Sequence, residues 1–437
     1  MRVAALSVLI SIVSLHAADP ALDNWSHWRG PLANGTSLIA NPPINWDAKT
    51  NIKWTADLPG KGSSSPIVWG DKVFVVTAVE TDRLAKVEDM PKPDPRFKVN
   101  TNPPTNFQQF IVYCFDRQTG KQIWRHIAAE KVPHEGHHPT HSYAAGSPTT
   151  DGKRLYVSFG SFGTYAYDMD GKPLWSRDFG RLNTRLGWGE AVTPVIHGDS
   201  LLLNWDQEAD SKLICLDPAT GKTKWETPRD EKSTWTTPLI VEHKGTMQVI
   251  LNGTNRVRSY DLATGKQLWA CAGMTVNAIP SAIAADGVAF IMSGYKGAMA
   301  VAVSLDARGE VGPNNGLIWK YGKGTPYVPS PVLANGRLYF TEANTNLLTV
   351  LDAKTGKPLL ERERLTGVSS FYASPVAAAG RVYFTDQRGT TLVFKEGDKP
   401  ELLATNKLHD AIDATSALVG NQVFLRAHGR LYCIEGK

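Results

Sequence analysis

Four histidines fall within eight residues of the segment Pro133–His141 (PHEGHHPTH): His134, His137, His138 and His141. Neutral imidazole is the commonest protein ligand for Zn, Cu or Ni near pH 7, and Glu135 adds an oxygen. Pro133, Gly136 and Pro139 oppose a helix, so the histidines are expected on a loop. Three roles stay open for them: metal ligation, the polar lining of a pocket, and a plain loop. A second cluster, Asp206, Glu208 and Asp210, has oxygen donors for a hard cation. The bare Asp-x-Glu-x-Asp spacing reads more readily as a solvated turn. The sequence holds no Ser-His-Asp elbow, phosphate loop or dinucleotide fingerprint in a suitable context, and no CxxCH haem motif.

The elements that must position these residues repeat. One phrase recurs as Asp116–Trp124 (DRQTGKQIW), Asp168–Trp175 (DMDGKPLW), Asp217–Trp225 (DPATGKTKW) and Asp261–Trp269 (DLATGKQLW). It returns degenerate at Asp352–Leu360 and stretched from Asp306 to Trp319. A Ser/Thr-Pro step opens a strand at Ser65, Ser147, Thr193, Thr237, Ser330 and Ser374, with worn copies at Ser281 and Thr415, which makes eight. From Pro148 onward the steps lie roughly 41–50 residues apart, a period typical of four-stranded propeller blades. The Gly supplies a left-handed turn residue, the Asp bonds the turn backbone, and the Trp anchors one repeat on the next. The expected fold is all-β: an eight-bladed β-propeller of four-stranded antiparallel blades. The last repeat, ending at Tyr432–Lys437, has only three strands. Its outer strand is expected from Ile52–Trp54, so that an N-terminal strand completes the last blade and no sheet edge is left open.

The Asp-x-x-Thr-Gly-Lys-x-x-Trp phrases resemble the PQQ-like repeat of eight-bladed quinoprotein-type propellers, over roughly Asn45 to Lys437. Trp25–Ser37 (WSHWRGPLANGTS) resembles the Trp-Arg-Gly-Pro start of secreted members of that family. The resemblance implies either a pyrroloquinoline quinone (PQQ) dehydrogenase with calcium or a cofactor-free scaffold such as the propeller lipoprotein of the outer-membrane β-barrel assembly machinery. The vicinal cysteines of the family's alcohol dehydrogenases are missing, and the chain is short for that class. The scaffold or binding reading is therefore preferred, with a protein partner or small ligand and no confident cofactor.

Function is expected where the repeat is broken. Glu80–Gln109 interrupts blade one with five prolines and balanced charges, and is expected as a long loop, either a tolerated excursion or a lid or partner-binding element. Meander topology puts it on the same face as the histidine loop. That face also receives the residues preceding the steps, at the mouth of the central channel: Tyr143, Trp188, Glu190, Trp235, Asn277, Tyr327, Tyr372, Asp410 and Asp413. Aromatics with a few carboxylates suit a planar or sugar-like ligand; equally, Trp and Tyr fill the axis of a wide ring.

Composition bounds the rest. The net charge is +5 over 437 residues with the basic residues dispersed, which does not suggest a nucleic-acid protein. Residues 1–18 carry Arg2, an apolar run from Val3 to Leu15 and small residues at Ala17 and Ala18, the pattern of a cleaved export leader. Residues 19–44 form an extension and 45–437 the propeller. The mature protein is expected to be periplasmic or extracellular, monomeric and not membrane-spanning. Export permits disulfides, but Cys114, Cys215 and Cys433 each lie two residues before an acidic residue, at one repeat position. Equivalent positions in different blades are too far apart to bridge, so they are expected as free, buried thiols.

Overall fold

The structure is a computed structural model and describes residues 20–92 and 94–436. The expected leader lies outside the described residues. Eight antiparallel sheets follow one another in chain order as eight blades. Blade one consists of Ile67–Trp69, Lys72–Leu84, Asn106–Asp116 and Gln122–Lys131, from the axis outward. Blade eight takes three strands from the C-terminus, ending in Arg430–Glu435, and its fourth from Ile52–Asp57. Trp54 of that strand lies opposite Cys433, so the ring is clasped by its two chain ends.

The repeated phrase has a specific packing role. Each Trp faces a small residue of the neighbouring strand: Trp124 opposite Cys114, Trp175 opposite Ala166, Trp225 opposite Cys215 and Trp269 opposite Ser259. The Trp then lies under the turn of the following blade. The Trp54 indole donates to the Arg117 carbonyl (2.9 Å), Trp175 to Pro218 (2.9 Å), Trp225 to Leu262 (3.0 Å) and Trp319 to Ala353 (2.8 Å). The turn glycine is required twice over. Gly120 has φ +70°, and a Cβ there would stand 2.6 Å from the Trp54 ring. Asp116 Oδ1 holds the same turn by accepting from the Thr119 amide (2.7 Å) and hydroxyl (2.8 Å). The stretched copy keeps its Trp319 in this scheme but lengthens its turn. Its Gly309–Glu310 pairs in parallel with the outer strand of blade four, over Trp269, which is fully buried and donates to Gln248 instead.

The apolar core lies between blades, not within them. Phe74 and Val112 of blade one pack with Leu155 and Tyr167 of blade two, and comparable clusters continue round the ring. One cluster joins blades seven, eight and one with Trp25 and Trp46 of the N-terminal extension. All four cysteines are free and buried.

At the axis, the Ser/Thr of the steps weld neighbouring blades. The amide of Ser65 donates to the Ser147 hydroxyl, Ser147 to Thr193, Thr237 to Ser281, Ser281 to Ser330, Ser330 to Ser374, Ser374 to Thr415 and Thr415 back to Ser65, all at 2.9–3.0 Å. Burying an amide without a partner is costly, so a hydroxyl one blade away is the physical reason for the recurring residue type.

Two expectations need correction. The segment 80–109 is not all loop: its flanks lengthen the blade-one hairpin, with Glu80 opposite Gln108 and Leu84 opposite Asn106. Buried Phe107 and the bond from Gln108 to Glu80 (3.0 Å) extend the pairing outward, and the prolines begin only beyond it. Asp206 is not in a solvated turn. It is buried in a two-point ion pair with Arg229 (2.7 and 3.1 Å) and accepts from the Thr234 hydroxyl (2.7 Å). Glu208 is bonded by Ser233. These acids are structural partners of strand-end residues.

Candidate functional site

The extension, to which the sequence assigned no role, crosses one mouth of the central channel. Trp25 pairs with Val68 in blade one, the Thr150 amide donates to Ser26 in blade two, and Thr36–Ser37 runs parallel to the inner strand of blade seven. These contacts fall about three residues past the steps, at the far end of the inner strands. Arg29 is buried and donates to the carbonyls of Pro375 (3.1 Å), Asn34 (3.0 Å) and Pro331 (2.5 Å). Burial lowers its pKa to about 9. No carboxylate bonds it; three carbonyl dipoles hold the cation instead. Beside it, Trp28 reaches the channel and closes it from below.

Above Trp28 lies a cavity of about 370 Å³, open on the opposite face. Its floor is the ring of step hydroxyls, and its walls include Trp188, Trp235, Tyr295, Tyr327 and Tyr372. Asp413 is its carboxylate, already bonded by Gln387 (2.8 Å) and His428 (2.7 Å). Thus Trp188, Trp235, Tyr327, Tyr372 and Asp413, residues far apart in sequence, share one cavity with His138 and His141. Asn277 stands outside it, buried and with a left-handed backbone (φ +58°). Asp410 is also outside, accepting from the Tyr432 hydroxyl (3.0 Å).

The histidine segment is a loop that leans over the mouth. The His138 amide donates to the Trp188 carbonyl (3.0 Å), Lys61 bonds the Pro139 carbonyl (3.0 Å), and the Tyr372 hydroxyl reaches Thr140 from the far side of the ring (3.2 Å). The insertion braces it. Asn100 donates to Leu186 (3.0 Å), Thr101 to Gly187 (2.7 Å), and Gly136 lies against Thr101 and Asn102 so closely that a Cβ would clash.

The metal reading of the histidines fails on geometry. His134 bonds the Leu182 carbonyl (2.8 Å), His137 the His138 carbonyl (2.8 Å) and His138 the Thr140 hydroxyl (2.8 Å), while His141 turns inward. Among the described residues no group of three or more His, Cys, Asp or Glu is placed to hold a metal ion. His134 and Tyr143 instead join Glu135 and Glu190 around a small side cleft. Glu190 accepts from the Ser161 amide and hydroxyl (2.7 Å each), and Glu135 from the Thr184 hydroxyl (2.6 Å). Burial outweighs these bonds and pushes the Glu135 pKa up to about 7 and that of Glu190 up to about 8. Burial also lowers His141 to about 4. Glu135 was noted in the sequence only as a spare ligand; nothing local signals its burial.

A ring of eight four-stranded antiparallel blades built on these phrases is a PQQ-like repeat propeller. The family profile described as "Outer membrane protein assembly factor BamB" matches residues 108–269, 165–398 and 256–436, and the chain belongs to this family. Among curated proteins it is similar to a polyvinylalcohol dehydrogenase of a Pseudomonas species, 21% identical over 292 residues, 56% of this chain and 40% of that protein. The chain thus spans well under half of that relative. Among solved structures it is similar to BamB from Moraxella catarrhalis, with TM-score 0.53, 13% identity and coverage of 83% of this chain and 99% of that one. A europium-containing methanol dehydrogenase gives TM-score 0.50, 12% identity and coverage of 96% and 99%.

The resemblance of the repeats to quinoprotein-type propellers raises PQQ with calcium as a cofactor. PQQ is a planar quinone bearing carboxylates, and Ca²⁺ takes six to eight oxygens. Trp188 and Trp235 offer platforms, but no Lys or Arg lines the cavity, and its lining carboxylate is already paired. The donor set does not fit PQQ with calcium.

Proposed function

We propose that the protein is an exported, monomeric recognition module, without catalysis of its own, that binds a small ligand or a protein partner on its loop-decorated face. The observation that carries this reading is the axial cavity of about 370 Å³, walled by side chains from widely separated blades and overhung by the histidine loop. It lies in the range of roughly 300–1,000 Å³ usual for small-molecule sites. A protein partner draws support from the match to an assembly factor, whose name describes work on other proteins. Export draws support from the apolar run after Arg2; amino-terminal sequencing of the exported protein tests it. Among the described residues no helix is long and apolar enough to cross a membrane.

The competing reading, a PQQ-dependent dehydrogenase, is favoured by the similarity to polyvinylalcohol dehydrogenase. Reconstitution with PQQ and Ca²⁺ separates the two. A recognition module shows no quinone absorbance after desalting and no alcohol-dependent dye reduction. Turnover that disappears on chelation refutes the module reading.

A further inference from the structure

The chemistry of the axial cavity narrows what it accepts. Six hydroxyls on its floor, those of Ser65, Ser147, Thr193, Ser281, Ser374 and Thr415, each accept an amide proton from the neighbouring blade. None of the six donates its own proton to a protein acceptor among the described residues. One lone pair of each is used, and its O–H is free to donate toward the axis. All are buried, with exposures of 3–8%, so these donors need an acceptor from a ligand or from water. The walls are Trp and Tyr rings, whose apolar carbons suit flat C–H surface, and Tyr327 is itself stacked on Tyr295 at 4.6 Å. Formal charge is missing from the lining on the positive side, and the lone carboxylate, Asp413, is satisfied by Gln387 and His428. Arg185 and Lys61 act on the lining residues Tyr327 and His141 but do not line the cavity, so an anion would find no lining Lys or Arg to pair with, and a cation would compete with two existing bonds. The cavity therefore suits an uncharged molecule rich in oxygen acceptors on its edge and apolar on its faces.

We propose that this cavity binds a neutral saccharide, its edge oxygens on the hydroxyl ring and its C–H faces against Trp188 and Tyr327. This rests on the recognition-module reading and specifies its ligand. Thr140 and Tyr372, which meet across the mouth at 3.2 Å, are placed to contact any portion that projects outward, so a disaccharide or chain end is accommodated better than a single sugar.

The test is calorimetric titration of the full-length protein, with tryptophan fluorescence as a second readout. The probes are cellobiose, maltose and N,N′-diacetylchitobiose, with digalacturonate, glucosamine and PQQ plus Ca²⁺ as charged counterparts. At least one neutral disaccharide should bind saturably, and the charged probes should not. Trp188→Ala should weaken binding by about tenfold or more, the loss of one stacked aromatic face. Tyr327→Ala serves if that variant does not fold. Thr237→Val, which removes a lining hydroxyl outside the recorded amide bonds, should weaken binding a few-fold with an unchanged melting temperature. Failure of all three neutral sugars, or binding indifferent to Trp188, Tyr327 and Thr237, overturns the proposal. Should digalacturonate or glucosamine alone bind through these residues, the saccharide is refuted while the recognition reading survives; should PQQ with Ca²⁺ alone bind, both are refuted. Should no probe bind, and face variants also leave partner capture unchanged, both fall.

Discussion

Replacing Trp54 by Ala removes the anchor that closes the ring. Trp54 is 8% exposed, stacks on Gly120 of blade one, donates to the Arg117 carbonyl and lies 6.0 Å from the Phe424 ring. Truncating such a buried Trp costs about 3–5 kcal/mol. With an unfolding entropy of about 2.1 cal/mol/K per residue over 437 residues, one degree is worth roughly 0.9 kcal/mol, so the melting temperature should fall by about 3–6 °C. Trp54→Phe keeps most of the packing but loses the indole bond, worth about 1 kcal/mol, or roughly one degree. Trp175→Ala is the internal control. It has the same geometry, with Gly221 beneath it and a 2.9 Å bond to Pro218, but lies within a continuous run of blades. In a clasped ring that unfolds as one unit, the two Ala variants should lose comparable stability by calorimetry and by urea titration. If Trp54→Ala melts within a degree of the parent while Trp175→Ala drops by several, blade eight frays independently and the clasp carries no closure energy.

Three further outcomes are expected. Deleting residues 1–44 should destabilise the ring far more than deleting 1–23, because it removes fully buried Trp25 and Arg29; equal melting temperatures would show the plug to be dispensable. Thiol titration should find no reactive cysteine in the native protein, where burial pushes Cys114 and Cys433 up to about 12, and about four after unfolding without reductant; two or fewer would reveal a bridge. Between pH 6.5 and 8 the melting temperature should fall as pH rises. Glu135 and Glu190 hold protons in the folded state that the unfolded chain has already released, up to about 1.4 kcal/mol per pH unit and group. His27 and His141, lowered to about 3 and 4, act with opposite sign but only below about pH 6.5. Glu190→Gln should flatten the slope; an unchanged slope would mean that Glu190 is ionised in the native protein.

The ring was legible in the sequence because each repeated residue answers a local need that recurs, the strand-opening step eight times and the turn phrase six. Gly120, Asp116 and Trp124 stand for a turn, its bond and its anchor wherever the phrase returns. The clasp followed from a count of strands, and the free cysteines from their shared register. What escaped lies off the repeat or depends on a partner at a distance. Trp28 and Arg29 belong to no blade, so no periodicity points to the channel they close. Asp206 looked solvated because Arg229, 23 positions on, meets it only through the hairpin. Glu135 and Glu190 sit in different interblade connections, and their common burial comes from the insertion and the histidine loop folding over them. The prolines marked the insertion but hid its flanks, where Phe107 and Gln108 continue the strand.

The step residues serve two roles that a sequence cannot separate. A Ser or Thr at the step is explained by the weld wherever its hydroxyl takes an amide from the preceding blade, as all but that of Thr237 do among the described residues. The same arrangement leaves the hydroxyl proton unused by the protein, so the cavity acquires its donors as a by-product of ring closure. Any propeller closed this way inherits a donor-lined channel, and its specificity must then come from what stands above the ring and what plugs it below. Here those additions are aromatic and uncharged: Trp28 beneath, Trp188, Trp235 and Tyr372 above. Substitutions at the six lining hydroxyls that accept an amide should therefore disturb stability and binding together, whereas Thr237, which accepts none among the described residues, and the aromatics, bonded mainly to loops, should report on binding alone. That division follows from the two origins of the site, one in the repeat and one in the departures from it.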